Sequence, residues 1–552
     1  MRPIPASALP CAAPHLLRGL ALCIALGAPL APQPAAAQTA PPPGDQPAAA
    51  PAFDVLEFQI EGNTALPVQV VEQAVTPHLG PQRGMAGVEA ARAALDQAYQ
   101  QAGWLSVVVD IPEQRVDGGV VRLRVIEGSV AQLRVTGARY FSQGWIRDKV
   151  PALASGNVPN FNDVQTQLAE LNRRAERRVQ PLLRPGQVPG TLDAELRVED
   201  RLPLGASLEL SNRHAANTVP WRLTAHLHYD NLFQREHSLG LTAITAPEDT
   251  RQARVLVLNY SVPAGDGGSW SAYAVASDSL VEPLGASVIG QGSTLGLRRT
   301  LPLPAVGRLG HSLTLGLDYK HLKQRTVAGN DVISSPLRYL PLLADWSGAL
   351  VGPTATTQLK LSLAWASRAL LRRTVDCAGL PTDQFECAQR HADGSFVVLR
   401  ADLRHDGRLP AAGWTWQGRL ALQRASGPLV SGEQYALGGA DTVRGYRESE
   451  AAGDQAWLGS LSLRSPNQAS ALGLGALREL VASAYLDAGQ VELLDPAVGQ
   501  TRYTDLYSAG LGLKLRLGEQ LDSTLDLAWP LRRTLGAPQR DPRLHARVQW
   551  RF

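Results

Sequence analysis

Along the last ten residues, RLHARVQWRF (543–552), apolar and polar side chains alternate without a break. Leu544, Ala546, Val548, Trp550 and Phe552 fall on one side, and His545, Arg547, Gln549 and Arg551 on the other. A period of two is that of a β-strand with one apolar and one wet face. PWRLTAHLHYDN (220–231) repeats it, setting Trp221, Leu223, Ala225, Leu227 and Tyr229 against Arg222, Thr224, His226 and His228. SAGLGLKLRLG (508–518) and LDSTLDLAW (521–529) do the same. After about residue 202 no helical period remains. About sixteen such segments can be marked, starting near 204, 219, 236, 252, 269, 290, 309, 337, 354, 393, 412, 454, 477, 505, 521 and 543. The segments near 269–278 and 337–348 alternate poorly.

Ahead of residue 202 the texture differs. FDVLEFQIEG (53–62) reads as a strand, followed by helical stretches around 66–78 and 87–102. In the second helix Val88, Ala91, Leu95, Ala98 and Tyr99 recur at helical spacing. Strands at 104–111 and 119–128 follow. The same β-α-α-β-β order then returns: a strand at 131–137, a short helix at 142–151, a longer one at 161–178, and strands near 179–184 and 190–198. Two units of like order suggest a tandem duplication. The arginines of NRRAERR (172–178) read as a solvated helix face.

Charged side chains on the wet face of nearly every strand after 202 point to a polar interior, and the Leu, Val, Trp and Tyr opposite them suit lipid. In hydrocarbon each unpaired backbone group costs several kcal/mol, so a spanning sheet must close on itself. The pattern predicts an even-stranded antiparallel barrel with a polar lumen. A soluble β-sandwich is the competing reading, because individual strand signals of this kind are weak.

The amino end refines the setting. Arg2, His15 and Arg18 precede the apolar GLALCIALGAPLA (19–31), and AAA at 35–37 supplies a cleavage site. A signal peptide over 1–37 is expected, then a Pro/Ala-rich linker over 38–52. Beyond it no uncharged apolar stretch is long enough for a spanning helix. A net charge of +3 on 552 residues gives no case for nucleic-acid binding. Cys11 and Cys23 leave with the signal. Cys377 and Cys387 bracket the polar AGLPTDQFE, and in an oxidising compartment they most simply form a disulfide. A metal site is the lesser reading, since the spacing is wrong for a zinc hairpin and only His391 is near. No metal or cofactor is expected.

One long loop has unusual chemistry: SGEQYALGGADTVRGYRESEAAGD (431–454). Gly438 and Gly439 permit positive φ, and Arg444-Gly445 puts a long cation on a turn. Taken alone, this is a surface turn with a solvated arginine. GGADTVRGYRE (438–448), however, resembles the VRG(F/Y) motif of the outer-membrane transporters of two-partner secretion. These are the haemolysin and filamentous-haemagglutinin secretion/activation proteins, within the superfamily that includes the BamA assembly factors. VLEFQIEGNTALP (55–67) is similar to the opening of that family's first POTRA domain, and YDNLFQREHSLGL (229–241) to its early barrel hairpin. The terminal Phe552, with Trp550, is similar to the signal that the barrel-assembly machinery reads.

The resemblance implies α+β periplasmic POTRA-like domains at 53–128 and 129–201. A 16-stranded antiparallel transmembrane β-barrel would occupy 202–552, with an inward-folded motif loop at 426–453. It implies that the motif Val443, Arg444, Gly445 and Tyr446 reaches an acidic D-x-G on the wall. ASAYLDAGQV (482–491) supplies that match through Asp487 and Gly489. A physical case stands beside it: Tyr485 and Asp487 share one parity, and a carboxylate facing lipid is costly. A guanidinium also matches a carboxylate in bidentate fashion, which lysine cannot. The implied activity is export of a large unfolded exoprotein. Its N-terminal secretion domain would bind the POTRA units, for instance at a strand edge at 104–111 or 119–126. Outer-membrane lipid and the assembly machinery are the other expected partners, and the chain is expected to be a monomer. Some family members carry an N-terminal plug helix, for which 38–52 are too few and too Pro-rich.

Rival functions are a BamA-like insertase, a passive porin and an outer-membrane enzyme. For the enzyme the residues offer little. No G-x-S-x-G occurs, GHSLT (310–314) being the nearest miss, and there is no H-E-x-x-H. No catalytic residue is assigned.

Overall fold

The computed structural model describes residues 53–552 except 217, 280–290, 329–330, 378, 411–412, 474 and 535, and gives no side chains for 324–335. The expected signal peptide and linker lie outside the described residues.

The first module contains β1 (Glu57–Glu61), α1 (Val68–Val75), α2 (Gly84–Gln101), β2 (Val107–Asp110) and β3 (Val120–Glu127). Its sheet runs β1-β3-β2, with β1 parallel to β3. The α2 face of Val88, Ala91, Leu95 and Tyr99 is buried, as its spacing predicts. One expectation fails. The segment 119–126 cannot be a free edge, because β3 is the central strand; of the two candidate edges only β2 is one. Sequence period marks a strand but not its neighbours.

Glu127, at the end of β3, ties down the turn before α1. Its carboxylate accepts from the Thr64 amide at 2.8 Å, the Ala65 amide at 2.9 Å and the Thr64 hydroxyl. Partial burial raises its pKa, but these hydrogen bonds, with that from Tyr99, outweigh burial and hold it below the ordinary glutamate value. The stabilisation is therefore complete above the unfolded-state pKa and fades as pH falls through the lower folded-state value. Hydrogen exchange on the full chain should show Thr64 and Ala65 losing protection, relative to β3, as pH drops through and below about 4.3. Glu127→Gln should remove that pH dependence; an unchanged profile would refute it.

The second module repeats the order: β4 (Ser129–Thr136), α3 (Gln143–Asp148), α4 (Phe161–Leu171), β5 (Arg177–Pro185) and β6 (Thr191–Asp200), with sheet order β4-β6-β5. Ile146, Leu153, Val164, Leu171 and Leu196 lie in its core. Here the reading of 161–178 needs correcting. The helix stops at Leu171, because the Asn172 side chain bonds the Val179 amide at 2.7 Å and carbonyl at 2.9 Å and turns the chain into β5. Arg177 is not on a solvated helix face but is 3% exposed. Its guanidinium carbon lies 4.8 Å from the ring centroids of both Phe141 and Trp145, and it donates to the Leu171 carbonyl at 2.6 Å. It also pairs with Glu236 at 3.0 Å. Glu236 lies 59 residues on, in the barrel turn between Leu232 and His237, beyond anything a helical period could report.

The barrel wall starts with β7 (Leu204–Ser211), β8 (Arg222–Leu232), β9 (His237–Thr245), β10 (Ala253–Pro263), β11 (Ser269–Ser279) and β12 (Gln291–Val306). Next, β13 (Leu309–Ala328) pairs with both β14 (Asp331–Tyr339) and β15 (Leu342–Val351). These two are halves of one wall strand, interrupted where Pro341 has no amide to give, and the break explains the poor alternation there. β16 (Ala355–Ala366) precedes an outer loop holding β17 (Thr374–Cys377), β18 (Leu380–Asp383) and α5 (Gln384–Ala388). β19 (Phe396–Arg408) and β20 (Thr415–Ala425) lead to the motif loop with β21 (Tyr435–Leu437) and β22 (Ala451–Gly453). β23 (Gln455–Arg464), β24 (Leu477–Glu492), β25 (Tyr503–Leu517), β26 (Leu521–Pro530) and β27 (Arg543–Arg551) complete the wall. It closes through β27 on β7, Arg547↔Ser211 to Arg551↔Ser207. With β14 and β15 taken together, sixteen antiparallel strands form the wall among the described residues, an even count that lets an all-antiparallel sheet close on itself and leave no open edge.

The parity rule holds around the wall. Leu295, Leu361, Leu399, Leu461, Leu486 and Leu511 are exposed on the outside. On the final strand Leu544, Val548, Trp550 and Phe552 are exposed. Arg547 and Arg551 pair with Glu209 and Asp522 on the neighbouring strands. The Phe552 amide donates to the Ala206 carbonyl at 2.9 Å, so the terminal residue is held by the first strand.

Candidate functional site

The connection from β20 to β23 folds into the barrel. β21 and β22 form a small hairpin, Tyr435↔Gly453 to Leu437↔Ala451, that carries the motif at its tip. Gly438 sits at φ +101°, and a Cβ there would stand 2.5 Å from the Arg447 carbonyl oxygen. Only glycine fits that turn.

Arg444 meets Asp487 in the geometry a guanidinium and a carboxylate share. Its Nε donates to Oδ2 at 2.7 Å and its Nη2 to Oδ1 at 2.8 Å, while its backbone amide donates to Oδ2 at 3.2 Å. The Ser460 hydroxyl, on the adjacent β23, donates to Oδ1 at 2.6 Å. Asp526 on β26 lies 3.7 Å from Nη1, and the guanidinium lies against the Tyr485 ring. Asp487 is 3% exposed. A carboxylate removed from water this far loses several kcal/mol of hydration, which only such a set of charged hydrogen bonds offsets.

Gly489, two residues on, has a different task. A Cβ there would come within 3.0 Å of both Leu437 Cδ1 and the Trp457 carbonyl oxygen. The glycine thus makes room for the hairpin to lie on the wall. Asp487 holds the motif by charge and Gly489 by absence of bulk.

Val443 and Tyr446 flank the arginine and are buried with Leu437, Leu458, Val491 and Leu506. The Tyr446 hydroxyl reaches the Arg532 carbonyl at 2.8 Å and the Tyr507 carbonyl at 3.0 Å. The Gly445 amide donates to His545 Nε2 at 2.9 Å, so that ring nitrogen is the unprotonated one. At the tip, Arg213 pairs with Asp441 through two bonds of 2.7 and 2.9 Å, and the Glu448 amide donates to the His214 carbonyl. Between the loop and the wall near Gly413 and Ser465 lies a polar cavity of about 1220 Å³, lined in part by Arg400, Asp402, Arg404, Arg419, Arg464 and Glu479.

The structure thus brings together Val443, Arg444, Gly445, Tyr446, Asp487 and Gly489. Trp550 and Phe552 stand apart on the outer surface, with rings stacked at 5.1 Å. Cys377 and Cys387 are joined in a disulfide in the loop between β16 and β19. Sequence reasoning missed Ser460, Asp526 and His545. Each falls on the lumen parity of its strand, which is the only signal it carried; dozens of other lumen residues share it.

Residues 190–515, more than half of the chain, match the family described as "Haemolysin secretion/activation protein ShlB/FhaC/HecB". The chain belongs to that family. Residues 53–128 also match its POTRA domain of the ShlB type. Among curated relatives, the "Outer membrane transporter CdiB" of Dickeya dadantii is 24% identical over 364 residues, 65% of this chain and 62% of that protein. The protein of the same description from Escherichia coli O6:K15:H31 is 26% identical over 181 residues, 33% of this chain and 30% of its own length. The matched part of the chain therefore spans less than two thirds of each of these relatives. Of solved structures, CdiB from Escherichia coli covers 92% of this chain, and 91% of its own chain, with a TM-score of 0.60 at 18% identity. BamA from Haemophilus ducreyi lacking POTRA domains 1–3 covers 91% of this chain and all of its own, with a TM-score of 0.53 at 15% identity. At these identities the likeness is one of fold.

Proposed function

We propose that this member of the ShlB/FhaC/HecB family is an outer-membrane pore that exports a large exoprotein by two-partner secretion. Residues 53–128 and 129–201 act as periplasmic POTRA domains that receive the N-terminal secretion domain of the partner. Residues 202–552 form the passage, and Trp550 with Phe552 present the end that the barrel-assembly machinery recognises. The protein works as a monomer and performs no bond-making chemistry.

The observation that carries this reading is the motif loop docked within a closed, polar-lined barrel by Arg444 on Asp487. A static porin has no need of a plug tied to its wall by a desolvated ion pair. A pore that must stay sealed and then admit an extended chain does. The modules supply what a porin lacks, a free strand edge at β2 on which a peptide can add as a further strand. Without ATP in the periplasm, folding of the passenger outside gives the movement its direction.

The test is co-expression of the full chain with a large exoprotein encoded beside it. The exoprotein is expected on the surface or in the medium only when the transporter is present, and to stay in the periplasm when residues 53–201 are deleted. If depletion of the chain instead lowers the amounts of unrelated outer-membrane barrels and leaves the exoprotein untouched, the protein is an insertase and the export reading fails.

A further inference from the structure

The Arg444–Asp487 pair is not the only buried charge holding the motif loop. At the loop's other shoulder, before β21, Glu433 is 2% exposed. Its Oε1 accepts from Lys320 Nζ on β13 at 2.6 Å and from the Tyr339 hydroxyl on β14 at 2.8 Å. Arg400 on β19 lies 3.5 Å from Oε2 and donates to the Glu433 carbonyl at 3.1 Å. Gln423 on β20 donates to the same carbonyl at 3.2 Å. Lys320 and Tyr339 are themselves 3% and 2% exposed. Four wall strands thus converge on one residue, on a part of the wall that β24, which carries Asp487, does not touch.

Behind this cluster stands the disulfide-closed loop. Phe385 of α5 packs on Tyr339 with ring centroids 5.5 Å apart, and Phe396 lies 6.1 Å from the same ring. Gln384 fixes α5 to β14 as if it were one more strand rung. It accepts from the Arg338 amide at 2.9 Å and donates to the Arg338 carbonyl at 2.8 Å. The Cys377–Cys387 bond ties α5 to β17 at its back. The contacts run from disulfide to Phe385, to Tyr339, to Glu433.

We propose that Glu433 is a second positioning residue for the motif loop, and that the disulfide-closed loop braces it through Phe385 and Tyr339. The choice of an ion pair has a physical reason. A buried pair adds little net stability over apolar side chains of like size, but breaking it by removing one partner is severe. Such a contact specifies one position strongly, yet is released at modest net cost once water reaches both charges. An apolar plug would lose its burial without compensation. Two ionic holds on separate walls keep the loop in register while leaving it removable. The proposal rests on the export reading only for the purpose of that release.

The experiment uses the full chain in outer-membrane vesicles without any exoprotein, with Ala440→Cys at the tip of the loop as a reporter for a membrane-impermeant maleimide. Heat-modifiable gel mobility confirms the folded barrel in each variant. Glu433→Gln and Lys320→Met are each expected to raise the labelling rate at least fivefold, as Arg444→Ala does. Cys377→Ser with Cys387→Ser should raise it too, but should add little on top of Glu433→Gln, since both act through one contact. If Lys320→Met fails to fold, the milder Lys320→Arg with Tyr339→Phe serves the same comparison. Unchanged labelling in Glu433→Gln, in a barrel where Arg444→Ala raises it, overturns the second anchor. Multiplicative effects of Glu433→Gln and the cysteine changes overturn the brace. Because no passenger is present, either result is independent of whether export occurs.

Discussion

Arg444→Asp is expected to abolish export while leaving the barrel folded. The substitution sets a carboxylate against Asp487 and Asp526, which lie 2.7 and 3.7 Å from the native guanidinium. Removing one partner of a desolvated pair costs about 3–5 kcal/mol, and like charges add to that. The loop cannot stay docked at such a cost. Adding Asp487→Arg restores one opposite-charge pair, so some export should return. The return is expected to be partial, because Asp526 still faces the new aspartate. Neutralising it with Asp526→Asn should raise export again, a step that a simple two-residue swap does not foresee. Arg444→Lys should be intermediate: the charge remains, but the two-pronged contact is lost at about 1.5–3 kcal/mol. Exoprotein in the medium, measured by immunoblot beside heat-modifiable mobility of the barrel, reads all of these. Full export by Arg444→Ala would remove the ion pair from the mechanism.

Tyr446→Ala should come close to the same loss by another route. The side chain is fully buried within the loop's apolar cluster. Truncating a buried aromatic costs about 3–5 kcal/mol through lost contacts and the cavity left behind. Tyr446→Phe keeps the ring and removes the hydroxyl's bond to the Arg532 carbonyl, worth about 1–3 kcal/mol for a group shut away from water, while the Tyr507 carbonyl keeps the Leu531 amide at 2.8 Å. The expected order of export is wild type, then Phe, then Ala. The Phe variant should also label faster than wild type at an Ala440→Cys reporter. An Ala variant that exports normally would show that the apolar half of the motif is dispensable, leaving Arg444 to hold the loop alone.

The two sets of variants separate charge from packing at neighbouring positions. Salt tells them apart further. The Arg444 contact is shielded from solvent, so added salt should change it little. Arg213 with Asp441, half open at the tip, should weaken.

Much of this was written along the chain. The period of two, carried for some 350 residues, determined a closed sheet, because lipid permits no other use for strands with one apolar and one charged face. The two β-α-α-β-β runs determined the modules. Arg444 and Asp487 were legible as a pair through the resemblance of GGADTVRGYRE and ASAYLDAGQV to the family's motifs. Taken alone the arginine read as solvated, and only the parity of Asp487, which keeps a carboxylate off the lipid face, spoke for it locally.

What the sequence could not determine were relations between residues far apart, since period reports which face a side chain takes and nothing of what it meets there. Arg177 looked like one more solvated helix residue until the turn between β8 and β9 brought Glu236 to it. β3 proved central and β2 the edge, because sheet order depends on where the crossing helices lead. Gly489 gained its reason only when Leu437 was seen lying on it. Glu433 gave no sign at all, for an acid in a polar loop is unremarked until four strands close around it. Local pattern chose the elements; the closing of the wall, which fixes distances across the lumen, chose the partners.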